Sequence, residues 1–210
     1  MLKKKICVLV SGGGTNLQAL IDAQKAGKIE NGEISCVISS KAEAFALQRA
    51  KDNGIKTIVL PRKEYSDNET YSRALLEILR KEEIDLIVYA GFMVILDKCI
   101  CEAFPNRMMN VHPALIPSFC GKGFFGLHVH EAVLKSGVKL TGATVHFVTD
   151  VCDGGPIILQ KAVPVCLGDT PEILQRRVME QAEWEILPRA VSLFCGDKIR
   201  VENGIAVVAE

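Results

Sequence analysis

The chain has 210 residues, 49% of them hydrophobic, and a chain of this length can bury about 70% of its unfolded surface around one core. Its 25 basic and 25 acidic residues cancel, which gives no reason to expect a nucleic acid or an anionic membrane as partner, because both favour a basic face. The apolar run from Leu86 to Leu96 is far shorter than the roughly 18 residues of a membrane span, so we expect a soluble protein.

The first hundred residues alternate between apolar runs typical of buried strands and segments with helical periodicity. Predicted strands cover residues 6–10, 34–38, 57–60 and 85–90. Predicted helices follow the glycines at 12–14, cover 43–53, and begin at a capping box formed by Ser66 and Glu69. This alternation predicts the α/β class, with a three-layer, mostly parallel, Rossmann-like sheet and helices on both faces.

The second half predicts a more mixed arrangement. Predicted strands cover 107–112, 141–149 and 156–165, with a helix over 128–136. A long helix begins at Thr170-Pro171 and is kinked or ended by Pro188, and a hairpin turns at Asn203-Gly204. No linker or repeat separates the two halves, so we expect a single domain over residues 1–210.

Eight cysteines are spread along the chain without a C-x-x-C motif. This spacing favours free thiols in a reducing cytosol over a disulfide framework, and we expect a cytoplasmic location.

A glycine loop, from Ser11 through Gly12, Gly13 and Gly14 to Asn16, joins the first strand to the first helix. Glycine amides can approach an anion closely, and a helix N-terminus adds free N–H groups. A dinucleotide site is disfavoured, because Leu17 replaces the third glycine of the fingerprint and no acidic residue follows the second strand. The loop therefore favours a single phosphate, as in a phosphorylated ribose; the alternative is a tight turn with a helix cap.

Asn110 and His112 lie at the end of a predicted strand, and alternation places them on the same face. An amide donor beside a titratable ring suits acyl transfer, because the amide stabilises an oxyanion and the ring handles a proton. The alternative is a strand-end histidine satisfied by backbone groups.

Asp150 and Asp153 lie in a glycine-flanked loop, where they could bind a cation, cap a turn or orient a histidine. A carboxylate near His112 would raise the pKa of that ring and keep it cationic near neutrality. His128, His130 and His146 lack a third ligand at convincing spacing, so we expect no metal.

Together these segments resemble the folate-dependent formyltransferases that act on glycinamide ribonucleotide. The segments that carry the resemblance are 11–16, 90–93, 110–117, 144–150 and 153–160. The resemblance implies transfer of a formyl group from 10-formyltetrahydrofolate, as cosubstrate, to the amine of the ribonucleotide in de novo purine synthesis. It further implies small-molecule partners only and a monomer or homodimer, with residues 1–100 holding the phosphoribosyl group and 101–210 carrying the catalytic and folate-binding residues.

The resemblance also implies residue roles. Asn110, His112 and Asp153 would be catalytic, with His130 and His146 as their polar neighbours. The substrate phosphate would bind Gly12, Gly13, Gly14, Thr15 and Asn16, and Glu183 would lie near the glycinamide. The folate-binding residues would be Asn68, Met93, Val94, Ile95, Leu96, Asn110, Asp150, Val151 and Gly154. In this mechanism Asn110 and a protonated His112 stabilise the formyl oxygen, while Asp153 keeps His112 charged and relays a proton through water.

The chain departs from the family pattern in three ways. Family members often carry arginine where this chain has Asn68 and Val94. The loop 119–126 is longer than the shortest family versions, and the helix near Glu183 holds one extra residue.

Three other interpretations follow from the same residues. Methionyl-tRNA formyltransferases share the Asn-x-His core but carry a C-terminal RNA-binding domain, and we expect none here. A formyltetrahydrofolate hydrolase usually has an additional N-terminal regulatory domain. A non-catalytic folate- or nucleotide-binding module needs no proton-transfer pair, and the presence of Asn110, His112 and Asp153 together disfavours it.

Overall fold

A computed structural model describes residues 2–209, which divide into two compact units, one up to Met109 and one from Asn110 onward. In this part of the chain no helix combines the length and the apolar character needed to cross a membrane.

The first unit contains four parallel strands in the order β3-β2-β1-β4. They are β1 (Lys4–Val10), β2 (Gly32–Ser39), β3 (Lys56–Val59) and β4 (Leu86–Tyr89). All four residues of β4 and the last five of β1 are buried, as expected for central strands of a parallel sheet covered on both faces.

Helices connect these strands: α1 (Thr15–Lys25), α2 (Phe45–Asp52), α3 (Asn68–Lys81) and the short α4 (Lys98–Ala103), with a 3₁₀ turn at Arg62–Glu64. Helix α1 contacts α2, and α3 contacts α4. Right-handed crossovers place α3 on the face opposite α1 and α2, because the connection from β3 returns past β1 to reach β4. The predicted α/β class, with helices on both faces, is confirmed. The strand order reverses between β1 and β4, and open α/β sheets bind ligands at the carboxyl ends of strands at such a point.

Two details of this unit differ from the expectation. The N-cap of α3 is Asp67, whose carboxylate accepts the Thr70 N–H at 2.8 Å, so the predicted capping box at Ser66 is wrong by one residue. Helix α4, capped by Asp97, was not expected from the sequence because it is only six residues long.

The second unit is mixed, as predicted. Strand β5 (Met108–His112) ends in this unit, and β6 (Leu140–Phe147) pairs antiparallel with β7 (Ile157–Pro164). A bulge interrupts β6 between Val145 and His146. The helices are α5 (Leu127–Ser136), α6 (Pro171–Val178) and α7 (Trp184–Cys195), and α7 packs on β6 and β7. The predicted C-terminal hairpin forms from β8 (Ile199–Glu202) and β9 (Ile205–Val208).

A π-helical turn, Met179–Glu183, joins α6 to α7. The Trp184 N–H bonds to the Met179 carbonyl five residues earlier, so this turn holds one residue more than an α-helical turn. Pro188 lies inside α7 and does not end it, so the alternative that the proline ends the helix is wrong, while a kink at Pro188 stays a prediction.

Candidate active site

Asn110 and His112 lie on β5, at the start of the second unit. His112 is 4% exposed and its Nδ1 is 3.6 Å from Asp153 Oδ2. His146 on β6 is 2% exposed, and its Nε2 is 3.6 Å from Asp153 Oδ1. The Asp153 carboxylate therefore lies between two buried imidazoles.

His146 connects this cluster to Asn110. Its Nδ1 is 2.8 Å from the Phe147 carbonyl, which can only accept, so Nδ1 carries a hydrogen. In the neutral ring Nε2 is then an acceptor, and it lies 3.3 Å from Asn110 Nδ2. One N–H of the Asn110 amide is thereby used, which fixes the orientation of the amide and leaves its second N–H for a substrate oxygen.

The loop after β5 contacts both members of the His112–Asp153 pair. His112 Nε2 donates to the Phe119 carbonyl at 2.8 Å, and the Gly121 N–H donates to Asp153 Oδ2 at 2.8 Å. Phe119 and Asp153 both adopt positive φ, 51° and 54°, which non-glycine residues adopt infrequently. No sequence signal indicated either contact, because both partners contribute backbone groups.

The ionisation of the pair follows from its surroundings. Burial acts to raise the pKa of Asp153, but the adjacent His146 ring, the hydrogen bond from the Gly121 N–H and the charge of His112 together lower it to about 2. Burial lowers the pKa of His112 below its ordinary value of 6.5; the Phe119 carbonyl and Asp153 act in the opposite direction and do not outweigh it. The prediction that Asp153 keeps His112 cationic near neutrality is therefore wrong for the protein without substrate, because desolvation dominates.

Thr144 fixes the turn that follows His112. Its hydroxyl donates to the Ala114 carbonyl at 2.7 Å and accepts from the Ile116 N–H at 3.1 Å. Gln160 Nε2 donates to the same hydroxyl and to the Ile116 carbonyl, each at 3.0 Å. These bonds tie the exit of β5 to strands β6 and β7, which restricts the backbone that carries His112.

The Asp153 turn depends on Gly155. A Cβ at this position would lie 1.8 Å from the Phe147 carbonyl oxygen, so only glycine permits this approach of the turn to β6. Within the same loop Asp150, Val151 and Gly154 are exposed. Their exposure leaves them available to a ligand.

In the first unit, the glycine loop follows β1. The Ser11 hydroxyl is 2.6 Å from that of Ser40 and accepts the Met93 N–H at 3.0 Å, which joins the carboxyl ends of β1, β2 and β4. Met93 and Ile95 are 55% and 71% exposed, and Val94 and Leu96 are partly exposed. Asn68, the exposed first residue of α3, accepts from Arg62 Nε at 2.9 Å.

Two other expected site residues are buried in the second unit. Glu183 is 6% exposed at the end of the π-helical turn. His130 on α5 is fully buried, and burial together with the charge of His112 lowers its pKa to about 4. Among residues 2–209, no group of three or more His, Cys, Asp or Glu side chains is arranged to hold a metal ion.

A parallel sheet with a glycine loop, and an Asn–His–Asp cluster at the end of β5, define an enzyme-like α/β protein with an acyl-transfer type of site. The formyl transferase family profile matches residues 4–191, and the chain belongs to this family.

The chain is similar to the phosphoribosylglycinamide formyltransferase of Escherichia coli K12, with 41% identity over 201 residues that cover 96% of this chain and 92% of that protein. It is also similar to the crystal structure of glycinamide ribonucleotide transformylase 1 from Symbiobacterium toebii, with a TM-score of 0.93, 40% identity, and coverage of 99% and 95%. A formyltetrahydrofolate deformylase from Pseudomonas syringae pv. tomato gives a TM-score of 0.89 at 26% identity, covering 99% of this chain and 66% of that one.

Proposed function

We propose that the chain transfers the formyl group of 10-formyltetrahydrofolate to the amine of glycinamide ribonucleotide, giving formylglycinamide ribonucleotide and tetrahydrofolate in de novo purine synthesis. The observation that carries this proposal is the Asn110, His112 and Asp153 cluster in a chain 41% identical to the E. coli enzyme over nearly its full length. Higher identity to the transferases than to the deformylase favours an amine over water as acceptor.

In the proposed reaction the neutral amine attacks the formyl carbon, and the formyl oxygen gains negative charge. The free N–H of Asn110 and the Nε2–H of His112 donate to this oxygen, once the substrate replaces the Phe119 carbonyl. A neutral imidazole suffices for this donation, so the low pKa of His112 is compatible with the role.

Collapse of the tetrahedral adduct re-forms the carbonyl and breaks the bond from the formyl carbon to N10 of the folate. The attacking nitrogen loses a proton and N10 gains one. Asp153, ionised at neutral pH because its pKa is about 2, is proposed to accept the first proton through a water and to return it to N10.

The binding roles are proposed with the same reaction. Gly12 to Asn16 would hold the substrate phosphate, and Glu183 would contact the glycinamide. Exposed apolar side chains at Met93 and Ile95, with Val94, Leu96, Asn68 and the loop from Asp150 to Gly154, would contact the folate. A cytoplasmic location and a monomer or homodimer belong to this proposal; thiols free of disulfides at Cys7, Cys36 and Cys152 support the location.

The experiment compares acceptors. The purified chain is given 10-formyltetrahydrofolate with glycinamide ribonucleotide, with initiator tRNA, or with no acceptor, and tetrahydrofolate, formate and formylated product are quantified. Formylglycinamide ribonucleotide in amounts equal to tetrahydrofolate is expected. Formate released at the same rate without acceptor would identify a deformylase instead, and formylated tRNA would identify the tRNA enzyme.

A further inference from the structure

The backbone carbonyls of the glycine loop are held by helix α2. The Ala46 N–H donates to the Gly12 carbonyl at 3.0 Å, and Arg49 Nε donates to the Gly13 carbonyl at 2.9 Å. Helix α2 lies directly against the loop, since a Cβ on Gly14 would be 2.6 Å from Ala46 Cβ. Two consecutive peptides of the loop are thus oriented from one side.

This orientation determines where the loop amides point. In a trans peptide the carbonyl of one residue and the N–H of the next point in opposite directions. With the carbonyls of Gly12 and Gly13 directed at α2, the N–H groups of Gly13 and Gly14 are directed away from it. Among the backbone hydrogen bonds of the loops and turns in residues 2–209, none is donated by either N–H, which leaves both facing the side where a ligand would bind.

Arg49 is itself held in place. Its Nη1 donates to Gln18 Oε1 at 3.1 Å, and Gln18 Nε2 donates to Asp22 Oδ1 at 2.9 Å. The guanidinium also lies over the Phe45 ring, 5.0 Å from its centroid. A planar guanidinium restrained in these ways loses little further freedom when it orients a peptide, and a lysine ammonium cannot reproduce the same bonds.

We propose that Arg49 is a positioning residue for the substrate phosphate. It holds the Gly13 peptide so that the amides of Gly13 and Gly14 face the anion, and it places a positive charge behind the loop. The inference rests on the proposed function, which assigns the phosphate to residues 12–16. The inference adds to the phosphate site a residue that lies outside the loop, on helix α2.

Steady-state kinetics test the proposal through Arg49→Gln. The KM for glycinamide ribonucleotide should rise about tenfold to a hundredfold, with kcat and the KM for 10-formyltetrahydrofolate nearly unchanged. Lys51→Gln, which removes the same charge from an exposed position on the same helix, is the matched control and should leave all three constants near wild type. An Arg49→Gln enzyme that keeps the wild-type KM for the ribonucleotide overturns the proposal, as does an equal rise in both KM values.

Arg49→Lys separates positioning from charge. A lysine keeps the charge but not the paired bonds to Gly13 and Gln18, so this variant should be impaired as well. If Arg49→Lys keeps wild-type kinetics while Arg49→Gln binds the ribonucleotide weakly, the contribution of Arg49 to ribonucleotide binding is its charge alone. That result would overturn the positioning role.

Titration of ¹⁵N-labelled protein with inorganic phosphate distinguishes failure of this inference from failure of the proposed function. The amide signals of Gly13 and Gly14 should shift in the wild type, and the phosphate concentration at half-saturation should rise about tenfold or more in Arg49→Gln. Shifts confined to other residues would refute the phosphate assignment of the loop itself. Shifts of these amides with equal affinity in both proteins would refute only the role of Arg49.

Discussion

Replacement of His130 by leucine should reduce the loss of folding stability that occurs as the pH falls from about 6.5 to about 4. His130 is fully buried, and neither ring nitrogen has a hydrogen-bond partner within residues 2–209. Its pKa of about 4 in the folded protein lies well below the ordinary value of 6.5 that applies to the unfolded chain. The folded state therefore keeps the ring neutral in a range where the unfolded chain takes up a proton.

The sign and size follow from proton linkage. As the pH falls below 6.5 the unfolded state gains a proton that the native state does not, so the free energy of unfolding decreases until about pH 4. At about 1.4 kcal/mol per pKa unit, the gap between 6.5 and about 4 corresponds to roughly 3 kcal/mol. The contribution of His130 is thus present above pH 6.5 and lost toward pH 4.

Urea unfolding between pH 4.5 and 7.5, followed by the fluorescence of Trp184, the single tryptophan, measures this difference. His130→Leu should be at least as stable as wild type at pH 7.5, because it removes two unpaired polar atoms, and should lose less stability on acidification. The same substitution at exposed His128 on the same helix is the control. Parallel curves for wild type and His130→Leu would refute the reasoning.

Three further substitutions test the catalytic cluster and its support. Asp153→Asn should lower turnover by about 10²–10⁴-fold and lower the pKa of His112 further, seen in an NMR titration, because the carboxylate that raises it is removed; near-normal turnover would contradict the proton-transfer role. Gly155→Ala should lower the free energy of unfolding, measured by thermal denaturation, by about 3 kcal/mol or more, because the alanine Cβ would clash with a strand carbonyl. Wild-type stability in this variant would contradict the steric clash. Thr144→Val should lower the free energy of unfolding, measured with urea, by about 2–4 kcal/mol. Thr141→Val on the same strand is the control and should change it little, because the Thr141 hydroxyl has no partner in residues 2–209. Equal losses in the two variants would refute the role of the hydrogen bonds.

The sequence allowed much of the fold to be predicted because the relevant signals are local. Apolar runs such as 6–10 and 85–90 identify buried strands, and the glycines after β1 mark the turn into α1. Short elements escaped prediction: six-residue α4 has too few turns to display a helical period. The sequence also did not reveal the π-helical turn before Trp184, and Pro188 lies inside α7 without ending it.

The site was less accessible to prediction because its parts come together only in three dimensions. Alternation placed Asn110 and His112 on one face, but only folding brings Asp153 next to His112. The pKa of His112 was predicted with the wrong sign because the charge partner can be guessed from sequence while the degree of burial cannot. Arg49 gave no signal, since its partner is a backbone carbonyl.

The contact between His112 Nε2 and the Phe119 carbonyl has a consequence for inhibitors. Without substrate the chain occupies this nitrogen with its own backbone, while Gly121 occupies the carboxylate of Asp153. A ligand that uses either atom competes with the loop, and its measured affinity is the difference between two sets of hydrogen bonds rather than the strength of one. Compounds that bind around the loop and leave both contacts intact avoid this competition altogether.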